Sequence, residues 1–199
     1  MILALHHADQ DATLWINSFH SAFTDRVWLL FSGVKIWIPF YALVAGLLIW
    51  KLGWKRGLLA VVATALTAVA CDQISVMIQE AVKRLRPCCD GYMLGNGLIA
   101  LEGYSPNHMH GFPSAHATNC FGFATATTLA FSLKGRHYWK GYRAAVFIWA
   151  TLVALSRVFV GKHYLGDLIA GALLGAALAT IIFHLCCRIP LRLAANRQG

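Results

Sequence analysis

The sequence predicts an all-α fold: a polytopic membrane helix bundle with five spanning helices and an N-terminal interfacial helix. Composition is the first reason, because 58% of the 199 residues are hydrophobic and only 13% are charged. That leaves too little polar surface to cover a soluble globule. The second reason is that apolar stretches long enough to cross a bilayer, about 20 residues each, recur along the chain. We expect a single domain, residues 1–199.

Five apolar stretches are typical of spanning helices. They cover approximately residues 27–50, 57–82, 113–133, 144–160 and 167–187. Residues 1–26 differ, because histidines and charged residues interrupt the run while Leu14, Trp15, Ile16 and Phe19 leave a short apolar patch. This pattern predicts a helix that lies in the membrane interface.

A polar loop is predicted at residues 87–112, between the second and third apolar stretches. Prolines, glycines, asparagines and an aspartate are frequent there. Such a density of residues that interrupt helices argues against a helix in this segment.

Basic residues cluster in alternate connections and predict the orientation. The groups are Lys51, Lys55 and Arg56 after the first stretch, Lys134, Arg136, Lys140 and Arg143 after the third, and Arg188, Arg192 and Arg197 in the tail. Such clusters stay on the cytoplasmic side of a membrane. The C-terminus is therefore predicted in the cytoplasm, whereas residues 83–112 and the turn 161–167 are predicted on the opposite face. In the inner (plasma) membrane of a bacterium, that face is the periplasm or the cell exterior.

The net charge of +9 does not indicate nucleic-acid binding. The basic residues divide between these connections and a few candidate site residues, which leaves no basic stripe with interleaved aromatic residues. No protein partner is implied either, so the expected partners are membrane lipids and a lipid substrate.

Three polar clusters fall on the predicted periplasmic face. They are Lys83-Arg84-Leu85-Arg86-Pro87, then Pro113-Ser114-Ala115-His116, then the segment from Ser156-Arg157 to His163 and Asp167. Charged groups at membrane depth are costly and occur mainly where they face a cavity or the boundary with water. The clusters therefore predict a polar site.

In order, the three clusters resemble the three-part signature of the type 2 phosphatidic acid phosphatase superfamily of membrane lipid phosphatases. The resemblance covers the chain from about residue 70 to the C-terminus. It implies that His163 is a nucleophile that forms a phosphohistidine, with Asp167 as its orienting partner. It also implies a reaction without metal or cofactor.

The residue chemistry agrees with that resemblance. His163 and Asp167 are four residues apart and share a helix face, so the carboxylate can hold one ring nitrogen. The alternative is a structural histidine–aspartate pair in which the acidic side chain caps the start of a helix.

Arg86 and Arg157 have planar guanidinium groups, whose paired N–H donors match the spacing of phosphate oxygens. The alternative, snorkelling to the headgroup layer, suits Arg84 and Lys162 more than it suits Arg86 and Arg157.

The second cluster predicts an anion site at a helix start. Proline is expected in the first turn, and the amides of Ser114, Ala115 and His116 would then point out of the helix end. His116 is placed to protonate a leaving oxygen as a general acid. Its alternative is an N-cap serine followed by an interfacial histidine.

One position departs from the superfamily pattern. A lysine is expected seven residues before Arg86, where this chain has Gln79. Lys83, one turn further along the same face, is a candidate to replace that charge, and Gln79 remains a candidate donor to phosphate.

Metal binding is not predicted, because the nearby histidines, with His108 and His110 in a glycine-rich loop, complete no ligand set. Asp72, in the middle of a span, is a candidate functional residue because it is an acid at membrane depth, but we favour a structural role as a hydrogen-bonding residue between helices.

The expected function is hydrolysis of a lipid-linked phosphate or pyrophosphate at the periplasmic membrane face. The short outer loop favours undecaprenyl pyrophosphate. The alternatives are lipid A phosphatase, phosphatidylglycerophosphatase, and a lipid phosphotransferase that uses the same histidine. A non-catalytic lipid-binding protein is a further alternative, motivated by Gln79.

Overall fold

The computed structural model describes residues 2–103, 109–133 and 140–188. Within these ranges the chain forms helices joined by turns, and no strand forms, so the predicted all-α class is confirmed. The helices are α1 Ile2–Asn17, α2 Ala22–Ser32, α3 Ile38–Leu52, α4 Trp54–Val82, α5 Gly91–Gly95, α6 Ala115–Ser132, α7 Lys140–Phe159 and α8 Leu165–Phe183.

Four helical segments among the described residues are long and apolar enough to cross a membrane. They are Lys35–Leu52, Trp54–Val82, Lys140–Phe159 and Leu165–Cys187. The predicted span 113–133 corresponds to α6, which is not one of the four. Half of its 18 residues are buried against other helices, mainly α8, α4 and α7. A helix that neighbouring helices surround in this way does not need an apolar surface that faces lipid. The assignment of α6 as a fifth spanning helix therefore stays a prediction.

The first predicted span, 27–50, is wrong as a continuous helix. Helix α2 ends at Ser32, Gly33 follows in an extended conformation, and a 3-10 turn at Lys35–Trp37 leads into α3. Pro39 lies in the first turn of α3, where its missing N–H is tolerated. The apolar sequence is therefore continuous, but the helix is interrupted between α2 and α3, next to Gly33 and Pro39.

Helices α3 and α4 form a tight antiparallel pair. Gly53 joins them with a φ of +80°, a conformation that favours glycine. At Gly57 an added Cβ would lie 2.4 Å from the Cα of Ile49, so the two backbones touch. Small residues likewise allow α6 to approach α8, since a Cβ on Gly175 would lie 2.1 Å from the carbonyl oxygen of Thr118.

Helix α1 buries its polar residues instead of its apolar ones. Gln10, Thr13 and Asn17 are buried, while Leu5 and Trp15 are exposed. Asn17 donates from Nδ2 to the carbonyl oxygens of Val158 and Phe159 at the end of α7. The expected interfacial helix is thus attached to the bundle through its polar face.

The segment after α4 contains more helix than expected. Lys83 ends α4 in the left-handed region with a φ of 53°. A 3-10 turn at Pro87–Cys89 and the five-residue helix α5, capped by Asp90, then follow. The prediction of a loop without helix over 87–112 is therefore wrong for these residues, because Asp90 caps a turn that the glycines permit.

Candidate active site

The ends of four helices meet at one end of the bundle, which we call the site end: α4 and α7 finish there, and α6 and α8 begin there. Backbone hydrogen bonds hold the three predicted clusters together. The amide of Gly111 donates to the carbonyl of Arg84 over 2.9 Å, and the amide of Ser114 donates to that of Asp167 over 3.0 Å. The amide of Cys88 donates to the carbonyl of Gly161 over 3.1 Å.

His163 and Asp167 form a buried pair at the start of α8. Nδ1 of His163 lies 3.5 Å from Oδ2 of Asp167, longer than a well-formed hydrogen bond, and the side chains are 2% and 0% exposed. The Tyr164 amide donates to the same Oδ2 over 3.0 Å. Burial lowers the pKa of His163 to about 4, against the opposing effect of Asp167. The imidazole is therefore neutral at pH 7 and carries a free lone pair.

Arg84 is the second partner of Asp167. Nη1 of Arg84 donates to Oδ1 of Asp167 over 2.7 Å, and Nη2 donates to Oδ2 of Asp9 over 2.7 Å. The guanidinium also lies 4.0 Å above the ring of Tyr164. Burial alone would lower the pKa of Arg84, but the two carboxylates outweigh it and raise that pKa above its ordinary value.

The interpretation of Arg84 as a snorkelling residue is therefore wrong. Its partner Asp9 comes from α1, and the other oxygen of Asp9 accepts from the Gly166 amide over 2.7 Å. Lys162 does not snorkel either, since its Nζ donates to the carbonyl of Gly103 over 2.8 Å. No local pattern in the sequence signals the contact of Arg84 with Asp9, 75 residues away.

Gly111 brings Arg86 next to the histidine–carboxylate pair. A Cβ added at Gly111 would lie 2.9 Å from Cγ of Arg86, 3.3 Å from Nδ1 of His163 and 3.4 Å from Oδ2 of Asp167. Nε of Arg86 donates to the carbonyl of His110 over 2.9 Å, a bond that does not use its two terminal nitrogens.

Arg157 is buried and held by a carboxylate. Its Nη1 and Nη2 donate to the two oxygens of Glu102 over 3.1 Å and 3.4 Å, and Nη1 also donates to the hydroxyl of Ser32. Burial would raise the pKa of Glu102, but the charge of Arg157 outweighs it and lowers that pKa. Neither Glu102 nor Ser32 was predicted, because both lie far from the motifs in sequence.

His116 lies in the same charged surroundings as the other predicted residues. It interacts electrostatically with Arg157, His163 and Arg86, and it lies near the backbone of Ser32. His163 in turn interacts with Arg86 and Arg157. The structure thus brings both histidines and both arginines to one place.

The start of α6 differs in detail from the sequence-based expectation. Ser114 is the N-cap and its hydroxyl accepts from the Ala117 amide over 3.4 Å, so Pro113 precedes the helix instead of lying in its first turn. The Ser114 amide donates to the carbonyl of Asp167 and is not available to an anion. Of the three amides in the predicted anion site, those of Ala115 and His116 remain.

Gln79 does not take the position expected of a phosphate ligand, whereas Lys83 stays a predicted one. Nε2 of the buried Gln79 donates to the carbonyl of Pro113 over 2.8 Å, which ties α4 to the segment before α6. The side chain of Lys83 is exposed. A structural role is therefore the better interpretation of Gln79.

A cavity of about 490 Å³ opens beside the site. Ser32 and His116 line it at the site end, and apolar side chains of α3, α4 and α6 form most of its wall. Among the described residues no group of three histidine, cysteine or acidic side chains could hold a metal ion. His108 lies outside the described residues.

A buried histidine–carboxylate pair beside two arginines, at one end of a bundle of apolar helices, is typical of a membrane enzyme that transfers phosphoryl groups. The chain belongs to the PAP2 superfamily, whose sequence pattern matches residues 54–188. The sequence-based expectation of a lipid phosphate phosphatase of this superfamily is confirmed.

Its relatives include two kinds of lipid A phosphatase. The chain is 32% identical over 197 residues to a lipid A 4'-phosphatase of Bacteroides thetaiotaomicron, with 98% of this chain and 84% of that protein covered. It is 26% identical over 184 residues to a lipid A 1-phosphatase of Rhizobium johnstonii, with 88% and 70% covered.

Two crystal structures share the fold. A PAP2-type phosphatidylglycerolphosphate phosphatase of Bacillus subtilis superposes with a TM-score of 0.66 at 19% identity, covering 92% of this chain and 86% of that one. LpxE of Aquifex aeolicus superposes with a TM-score of 0.59 at 18% identity, covering 87% and 93%.

Proposed function

We propose that the chain hydrolyses a phosphate monoester of lipid A through a phosphohistidine on His163, at the periplasmic face of the bacterial inner membrane. The observation that supports this most strongly is the contact of Arg86, His163 and Asp167 around Gly111. This contact supports the proposal because the proposed nucleophile, its proposed orienting carboxylate and a guanidinium suited to phosphate lie side by side around Gly111.

In the first step, the Nε2 lone pair of His163 attacks phosphorus. A nitrogen–phosphorus bond forms, the bond to the lipid oxygen breaks, and His116 donates a proton to that oxygen. The charge of the bound phosphate favours the protonated form of His116 that this step needs. Asp167 stabilises the positive charge that develops on the His163 ring.

In the second step, water attacks phosphorus and the nitrogen–phosphorus bond breaks. His116, now neutral, accepts the proton of that water, and inorganic phosphate leaves. Two displacements of moderate difficulty thereby replace one difficult displacement.

The arginines stabilise the charge on the transferred group. Arg86 and Arg157 bind its equatorial oxygens, where charge accumulates in the transition state. The Glu102 carboxylate holds the Arg157 fork in place before substrate binds, and the substrate phosphate replaces it. Arg84 remains with Asp167 throughout and acts as a positioning residue for the carboxylate.

The relatives support lipid A as the substrate. A lipid A 4'-phosphatase is similar to almost the whole chain. This favours lipid A, an alternative in the sequence-based expectation, over undecaprenyl pyrophosphate, which was the main expectation. The basic clusters described above support the orientation with a periplasmic site.

Phosphate release from the purified chain in detergent, with a chelator present, tests the proposal. We expect inorganic phosphate from lipid A at a higher kcat/KM than from undecaprenyl pyrophosphate or phosphatidylglycerol phosphate, and none above background from His163→Ala. A phosphorylated alcohol in place of inorganic phosphate would support the phosphotransferase alternative. Activity gained only with Gln79→Lys would support the non-catalytic alternative.

A further inference from the structure

The cavity beside the site is a groove between α3, α4 and α6. Most of its lining is apolar, including Trp37, Val44, Leu48 and Phe123. His116 and Thr127, both on α6, mark a length of about 16 Å at the helical rise of 1.5 Å per residue. The groove therefore runs from the candidate active site deep into the apolar part of the bundle.

Two polar side chains interrupt this apolar wall below the site. Asn119 is about 4.5 Å, less than one turn, below His116 on α6. Asp72 reaches the groove from α4. The contact between its neighbour Cys71 and Gly122, where an added Cβ would lie 2.8 Å from Sγ, places Asp72 close to the level of Asn119.

The Asp72 side chain is exposed, and none of the hydrogen bonds between described residues involves its carboxylate. The described residues thus give no support to the interpretation of Asp72 as a hydrogen-bonding residue between helices. A carboxylate at membrane depth is costly, and such groups mark functional cavities. A ligand in the groove that donates a hydrogen bond would offset this cost.

We propose that the groove holds an acyl chain of the substrate and that Asp72, with Asn119, recognises a hydroxyl on that chain close to the phosphate-bearing headgroup. This inference rests on the proposed function and adds a chemical class of substrate to it. The carboxylate accepts a hydrogen bond from the donor, and the apolar wall below holds the hydrocarbon tail. A polyisoprenoid chain has no such donor and leaves Asp72 unpaired.

A matched pair of synthetic substrates tests the inference. Both are acylated glucosamine 4-phosphates, one with 3-hydroxytetradecanoyl chains and one with tetradecanoyl chains. We expect the native chain to prefer the hydroxylated lipid at least tenfold in kcat/KM, because a site that pairs with a substrate hydroxyl discriminates strongly against its absence. Asp72→Leu should reduce the ratio to about one.

The measured quantity is the ratio of kcat/KM for the hydroxylated lipid to kcat/KM for the lipid without hydroxyls. A loss of folded protein lowers both values equally and leaves this ratio unchanged. Gln73→Leu is the matched control, since Gln73 is the next residue on α4, is exposed, and does not line the groove. An unchanged ratio in Asp72→Leu, or no preference in the native chain, would overturn the inference. Failure of the native chain to release phosphate from either lipid or from lipid A would instead overturn the proposed function.

Discussion

Arg84 donates from Nη1 to Oδ1 of Asp167 over 2.7 Å, so the carboxylate that faces His163 is shared between a histidine and an arginine. Asp167 is fully buried, and a buried carboxylate needs such partners. Through Nη2, Arg84 also connects Asp167 to Asp9 on α1. The orientation of the proposed nucleophile thus depends on residues from both ends of the sequence.

Arg84→Gln should lower kcat for phosphate release at least about 100-fold, because it leaves a buried carboxylate without its cation. It should also raise the pKa of His163, since Asp167 would no longer share its charge with an arginine. NMR titration of the ring measures that pKa. Arg84→Lys should recover part of both changes, whereas a normal kcat in Arg84→Gln would contradict the positioning role.

Asp9→Asn should reduce kcat about tenfold, with a smaller effect on KM. Both oxygens of Asp9 accept hydrogen bonds, one from Arg84 and one from the Gly166 amide, and asparagine offers only one such oxygen. Asp11→Asn is the control, because Asp11 is exposed on the same helix. Equal activities of the two variants would argue against a role of α1 in the site.

His163 should titrate with a pKa near 4 instead of its ordinary 6.5, because burial disfavours the imidazolium form. Between pH 6.5 and 4 the unfolded chain then binds a proton that the folded chain does not. The free energy of unfolding should therefore fall as the pH is lowered through this window. NMR of labelled histidine, assigned by the signal lost in His163→Gln, checks the value, and a pKa at or above 6.5 would contradict it.

Gly111→Ala should abolish most activity while the bundle remains folded. The new Cβ would lie 2.9 Å from Cγ of Arg86, and moving that side chain displaces the proposed phosphate fork. Gly91→Ala is the control, because nothing lies within 4 Å of a Cβ there. Phosphate release should fall at least tenfold in the first variant and stay near the native value in the second; similar rates in both would contradict the packing around Gly111.

The part of the site that is easiest to predict from the sequence is the pair of residues that are close along the chain. His163 and Asp167 share a helix face because they are four residues apart, and their contact follows from helix geometry alone. The distribution of basic residues between the connections predicts that Arg86, His116 and Arg157 lie at the same end of the bundle. These predictions needed only helical periodicity and the distribution of charge.

The contacts of Arg84 and Arg157 could not be predicted in this way. Arg84 meets Asp9 across 75 residues, and Arg157 meets Ser32 across 125 residues. Such pairs depend on how α1 and α2 pack against α7 and α8, which no local pattern specifies. The break after α2 was missed for a related reason, since hydrophobicity alone does not show where a helix ends.

Transfer of phosphate to His163 is the central claim, and rapid quenching of the purified chain with lipid A labelled by ³²P in its phosphate tests it most directly. We predict label on the protein within the first turnover, stable to alkali and labile to acid, on the peptide that contains His163. His163→Ala should carry none. Label on another residue, or phosphate release from His163→Ala at the native rate, would contradict the account.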